Sequence, residues 1–173
     1  MNRVIATIVI LAFAVPTISS EPELPPAPSH PQLDRMKALE GKWVNVDDNG
    51  KPTGKTVEYR LTAGNGTVVE TLMAGTPHEM ITMYHMDGDS LMLTHYCMLQ
   101  NQPRMRALPS ATTDVIQFEF LDGTGMKSTD DSHMHEVTFT FIDDDHFAAA
   151  WVNFEAGKPT AHSVKMNFVR DKS

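Results

Sequence analysis

His95 and Cys97 stand two residues apart in this chain, and so do His133 and His135. On an extended strand that spacing puts both side chains of a pair on one face. Two imidazoles so placed can reach a single metal ion, and Cys97 adds a soft sulfur donor. His95, Cys97, His133 and His135 are therefore candidate ligands for zinc or copper. Haem is a further candidate, kept in play by the methionines that stand beside these histidines. Met86, Met98 and Met134 lie beside these residues and carry thioethers, which suit cuprous copper. Catalysis has less support. No Gly-rich nucleophile elbow is present, and His95 and Cys97 would project side by side rather than toward a shared substrate. The same residues also read as a polar network: imidazoles hydrogen-bonded to Tyr96, Asn101 or Gln102, a thiol acting as a small hydrophobe, and methionines as core filler.

The elements that must position these groups are strands. Val57, Tyr59 and Leu61 alternate with Glu58, Arg60 and Thr62, and Asn65-Gly66 supplies the pair of a tight hairpin turn. The same period of two predicts strands over 42–46, 57–62, 67–74, 78–86, 90–99, 103–108, 115–121, 133–142, 147–154 and 160–170. Asp122 opens a polar loop running to about Ser132. One short helix precedes the strands, with Leu33, Met36, Lys37 and Leu39-Glu40 at helical spacing and Gly41 placed to end it. About ten strands, short turns and no crossover helix predict an all-β protein: an antiparallel up-and-down barrel with one short N-terminal helix.

Alternation then sorts side chains into lumen and exterior. His133 and His135 share a face with Val137, Phe139 and Phe141. His95 and Cys97 share one with Leu91 and Leu93, and His162 falls in step with Val164, Met166, Phe168 and Arg170. Each set is read as inward-facing. Phe118, Phe120, Phe139, Phe141 and Phe168 would wall a ligand cavity, with His95, His133, His135 and Arg104 as its polar anchors. Arg104 follows Asn101-Gln102-Pro103 and, with His85 and Met105, is a candidate for the cavity mouth, where a guanidinium can capture a carboxylate.

The N-terminus reads as a secretory signal over 1–20: Arg3, an apolar run from Val4 to Val15, then Thr17-Ile18-Ser19 as a small-x-small cleavage pattern. A run this short does not span a bilayer, so no stable membrane span is expected after cleavage. Residues 21–31 contain five prolines and form a linker, and 32–173 form one domain. The expected location is the periplasm or the extracellular space. With one cysteine the fold holds without an internal disulfide. The net charge is −8, and −9 without Arg3. No basic stripe is present, which argues against nucleic acid as a partner.

Leu39-Glu40-Gly41-Lys42-Trp43 resembles the Gly-x-Trp start of lipocalins and other calycins. That resemblance implies a helix leading into the first strand, with Trp43 covering the end of a calycin-like barrel. It also implies that Arg170, near the end of the last strand, packs on the indole. Gly41, Trp43 and Arg170 are thus structural candidates. Thr113-Asp114-Val115 matches the lipocalin Thr-Asp-Tyr element loosely. The chain is also similar to a group of uncharacterised exported bacterial barrel proteins through its Thr-His-Tyr-Cys run at 94–97, Asn-Gln-Pro-Arg at 101–104 and His-Met-His at 133–135. The function expected is binding of a small, mostly apolar ligand in the lumen. The alternative is a metal or haem protein, with an enzyme as one form of it.

Overall fold

The structure is a computed structural model that describes residues 25–173. The signal over 1–20 and the start of the linker, 21–24, lie outside the described residues.

Helix α1 spans Pro31–Lys37, one residue earlier than the expected linker boundary. Pro31 sits in its first turn, where a missing N–H costs no hydrogen bond and the fixed φ suits a helix start. Leu33 and Met36 are fully buried on its inner face. Eleven strands follow: β1 Gly41–Val46, β2 Pro52–Thr62, β3 Thr67–Leu72, β4 Met80–Asp87, β5 Ser90–Tyr96, β6 Gln102–Ala107, β7 Val115–Thr124, β8 His133–Phe141, β9 His146–Glu155, β10 Lys158–Pro159 and β11 Val164–Arg170.

Strands β1 to β9 pair in chain order, β9 pairs with β11, and β11 pairs with β1. Ten antiparallel strands thus close a barrel, and β10 is a two-residue spur on β9. The seam sets Trp43 opposite Arg170 and Val46 opposite Asn167. Closure satisfies the edges that an open sheet of this size would expose.

Local chemistry shifts some expected boundaries. Between β2 and β3 the chain makes a four-residue turn, with Ala63, Gly64 and Asn65 in the left-handed region, instead of a two-residue Asn65-Gly66 turn. The Gly66 N–H donates to the Ala63 carbonyl at 3.1 Å and closes it. β7 runs on through Asp122, because Asp122 forms an ion pair with Arg104 on β6 and keeps the ladder going to Thr124.

One end of the barrel is sealed. Helix α1 lies across it, and the Gln32 side-chain amide donates to the Leu108 carbonyl at 2.9 Å. The Trp43 indole N–H donates to the Leu39 carbonyl at 2.7 Å, and its ring meets Phe147 edge-on at 4.8 Å. The Arg170 guanidinium lies 4.1 Å above the indole and donates to the Glu40, Ala38 and Asp144 carbonyls. This is the Trp–Arg packing that the resemblance implied. It matches a cation–π contact with every guanidinium nitrogen on a backbone acceptor. Gly41 has φ +118°, and a Cβ there would sit 3.5 Å from the guanidinium, so glycine lets the chain turn under it.

Phe118, Phe139, Phe147 and Phe168 fill the lumen on this side with edge-on and stacked contacts. Phe141 joins them, with the Arg35 guanidinium 4.5 Å from its ring. Among the described residues, no helix is long and apolar enough to cross a membrane.

Candidate functional site

At the other end the barrel is not filled. A cavity of about 110 Å³ lies there, lined from β2, β3, β4, β5, β8, β9 and β11. Leu72, Trp151 and Val164 form part of its wall, and the rest is thioether from Met73, Met80, Met134 and Met166. Three polar groups reach it: Lys55, Glu70 and His95. Methionine suits such a wall, since its three rotatable bonds let it reshape around an occupant.

The strands that place these groups are read easily once the face is known. On β3, Val68, Glu70 and Leu72 point inward in turn, so a carboxylate occupies a core position. Glu70 is buried, and its Oε2 accepts from the Tyr59 hydroxyl at 3.0 Å and the Tyr84 hydroxyl at 2.6 Å. Its Oε1 accepts from Thr82 at 3.5 Å, and Thr82 Oγ1 lies 2.9 Å from His95 Nδ1. The His95 ring rests against Trp151, centroids 4.8 Å apart. A chain of five polar side chains thus runs from the packed half of the lumen to the cavity floor.

Burial governs their titration. It pushes the Glu70 carboxyl above the usual carboxylate range, against the pull of its three hydroxyl donors. It raises both tyrosines well above the ordinary phenol range, with the Glu70 charge adding to the effect. His95 is held down to about 4 by burial, so it is neutral at pH 7. The unfolded chain protonates this ring near 6.5 and the folded one only near 4, so acid favours unfolding across that window. Lowering the pH from 7 to 4 should cost up to about 3 kcal/mol through His95 alone. Glu70, with a raised value, works in the opposite sense over its own range. The comparison that isolates His95 is chemical denaturation of wild type and His95→Leu at several pH values. Identical pH dependence in the two proteins would refute the assignment.

Of the expected site residues, only His95 lines this cavity. Phe118, Phe139 and Phe141 belong to the packed half. Arg104 points to solvent, held by Asp122 through Nε at 2.5 Å and through a second bond from Nη2, so it is not a cavity anchor. His85 and His162 are exposed, and Met105 is fully buried in the core.

His133 and His135 also depart from expectation, for a definite reason. On the β9 side, His133 faces Phe154, Met134 faces Asn153, and a bulge lies between Met134 and Glu136. The bulge makes His135 an extra residue, and the alternation running back from Phe141 and Val137 does not survive it. Met134 therefore lines the cavity, while the two rings pack against Phe120 and Phe154 instead. Their polar needs are met locally. The Asp131 carbonyl can only accept, so His133 Nδ1 donates to it at 2.7 Å, and His133 Nε2 lies within hydrogen-bond distance of His135 Nδ1, 3.0 Å away.

The four expected metal ligands are accordingly not gathered. Among the described residues, no group of three or more His, Cys, Asp or Glu is arranged to hold a metal ion. Cys97 sits in the turn after β5, where burial pushes its thiol up and away from the thiolate. The lumen, at about 110 Å³, also falls below the roughly 300 Å³ of small-molecule pockets in general, and well short of a porphyrin.

The residues that strand alternation could have exposed are Tyr59, Glu70 and Tyr84, each flanked two residues away by an apolar inward position on at least one side. Trp151 carried a similar signal within β9, where Phe147, Ala149 and Trp151 are all buried.

No family model matches the chain, and no curated protein matches it. Among solved structures it is similar to the crystal structure of Rv2717c from M. tuberculosis, with a TM-score of 0.52 and 17% identity. The match covers 82% of this chain and 98% of that one. At that identity the likeness shows a shared barrel fold.

Proposed function

We propose that this chain is an exported, calycin-like binding protein that takes a small, mostly apolar ligand into the open half of its barrel. The observation that carries the reading is the contrast between the two halves of one lumen. One half is filled by buried phenylalanine rings in edge-on and stacked contact, and the other keeps a thioether-walled cavity with polar groups at its floor. Unfilled apolar volume costs stability, by roughly 24 cal/mol per Å³ in cavity mutants. Its retention beside a built polar chain favours a binding role over a packing defect. The Gly41-Trp43-Arg170 closure supports the calycin reading, and the signal pattern over 1–20 supports export.

The test is recovery of the occupant. Protein collected from the periplasm or the medium should release a small molecule on organic extraction. Met166→Trp, which fills the cavity, should release on the order of tenfold less while keeping the wild-type circular dichroism spectrum. Equal release from both proteins would place the molecule elsewhere. A chain found only in the cytosol with residues 1–20 intact would remove export from the proposal.

A further inference from the structure

Four thioethers meet at the cavity, from Met73, Met80, Met134 and Met166. They come from three separate parts of the barrel. Met73 and Met80 stand at either end of the β3–β4 turn, and Met166 lies on β11. Met134 lines the wall from β8, beside the bulge where His133 and His135 pack on Phe120 and Phe154 instead. A thioether sulfur is uncharged, polarisable and free of any proton to displace. It is a poor ligand for hard ions and a good one for cuprous copper. Its side chain has three rotatable bonds, so sulfurs around a space of about 110 Å³ can swing toward one ion.

One imidazole joins them. His95 Nδ1 lies 2.9 Å from Thr82 Oγ1, which in turn lies 3.5 Å from Glu70 Oε1. Its Nε2 makes no hydrogen bond among the described residues and is not one of the buried atoms left without a partner, so it is open to an occupant. An ion on Nε2 places the ring proton on Nδ1, facing the Thr82 oxygen, whichever nitrogen carries it beforehand. Metal-binding histidines use such outer contacts, here a hydroxyl and, behind it, a carboxylate. Glu70 also brings a negative charge to the cavity, and the Trp151 indole adds an electron-rich ring to the wall. Lys55, a cation in the same wall, is exposed and can keep its ammonium in water.

We infer that the cavity is a site for one cuprous ion, ligated by His95 Nε2 and by thioethers of Met73, Met80, Met134 and Met166. This goes beyond the organic occupant of the same lumen, and the ion and that molecule exclude one another.

Silver(I) is the probe, since it shares the charge and softness of cuprous copper and does not oxidise in air. The Cys97 thiol would itself take silver, so the full chain is used as Cys97→Ser, stripped of metal with a chelator and labelled on methionine methyl groups. Silver should bind one-to-one, shifting the His95 Nε2 resonance and the methyl signals of at least two cavity methionines. Met36 and Met105, in the packed core, should not move, and zinc should shift none of these signals. Met134→Leu/Met166→Leu keeps the apolar volume and removes two sulfurs. Its affinity for silver should fall by more than the roughly tenfold to hundredfold that losing an outer contact costs.

Silver that moves only the exposed Met98, or that binds the leucine pair as tightly, would overturn the metal site. Toluene, titrated separately and followed by the same four methyl signals, tests the organic reading. A response to toluene and none to silver removes the ion and leaves the organic ligand. The reverse removes the organic ligand and leaves the ion.

Discussion

Trp43→Ala should lower the unfolding free energy by about 4 kcal/mol, near the top of the range for a single core truncation. The indole is 1% exposed and joins three parts of the closed end at once. It holds the α1–β1 connection through the Leu39 carbonyl, packs edge-on against Phe147, and carries the Arg170 guanidinium on its face. Removing it leaves a void under α1 and strips Arg170 of its platform. Arg170→Ala in the same background should then cost less than it does in the wild type, because the cation–π part is already gone. Urea denaturation of the two single variants and the double variant measures that coupling. Strict additivity would mean that the guanidinium acts through the Glu40, Ala38 and Asp144 carbonyls and the Asp145 carboxylate, and not through the indole.

A second large effect is expected at Glu70. Glu70→Leu should destabilise the protein by about 3 kcal/mol, although it replaces a buried carboxylate with a hydrophobe. The loss comes from the partners. Tyr59 and Tyr84 are buried, and both direct their hydroxyls at Oε2; without it, two buried donors have no acceptor. The triple variant Glu70→Leu, Tyr59→Phe, Tyr84→Phe should recover most of that stability, since it removes the donors together with the acceptor. Its Tm, compared with those of Glu70→Leu and wild type, decides the matter. A triple variant no more stable than Glu70→Leu would show that the carboxylate is held for some reason other than those two hydroxyls.

Much of the barrel was legible because its signals are redundant. A period of two persists through most strands, turns punctuate it, and Gly41, Trp43 and Arg170 bracket it. The site was less legible, for two different reasons. Glu70 stands in step with Val68 and Leu72, so alternation marks it as inward; its charge hides that, because a lone carboxylate reads as surface until Tyr59 and Tyr84 are known to meet it across the sheet. His133 and His135 fail the other way. Their alternation with Val137 and Phe139 reads cleanly, but the bulge after Met134 breaks the phase, and no glycine or proline marks the place. Arg104 reads as a mouth residue from the polar Asn101-Gln102-Pro103 before it, and the sequence places its partner, Asp122, in a loop. The strand that extends to Thr124 brings the two together.

The β1–β11 seam also bears on how the chain acquires its shape. Most of its ladders join strands adjacent in sequence and can form as hairpins, within local stretches of chain. The seam instead joins residues such as Trp43 and Arg170, which lie at opposite ends of the domain. Loop-closure entropy makes such a contact the slowest to win. Until β11 arrives, β1 and β9 are open edges, and the Trp43 indole has no cation above it. Ring closure is therefore expected late in folding, and the interval before it is when the exposed β1 and β9 edges would be most open to pairing with a neighbour.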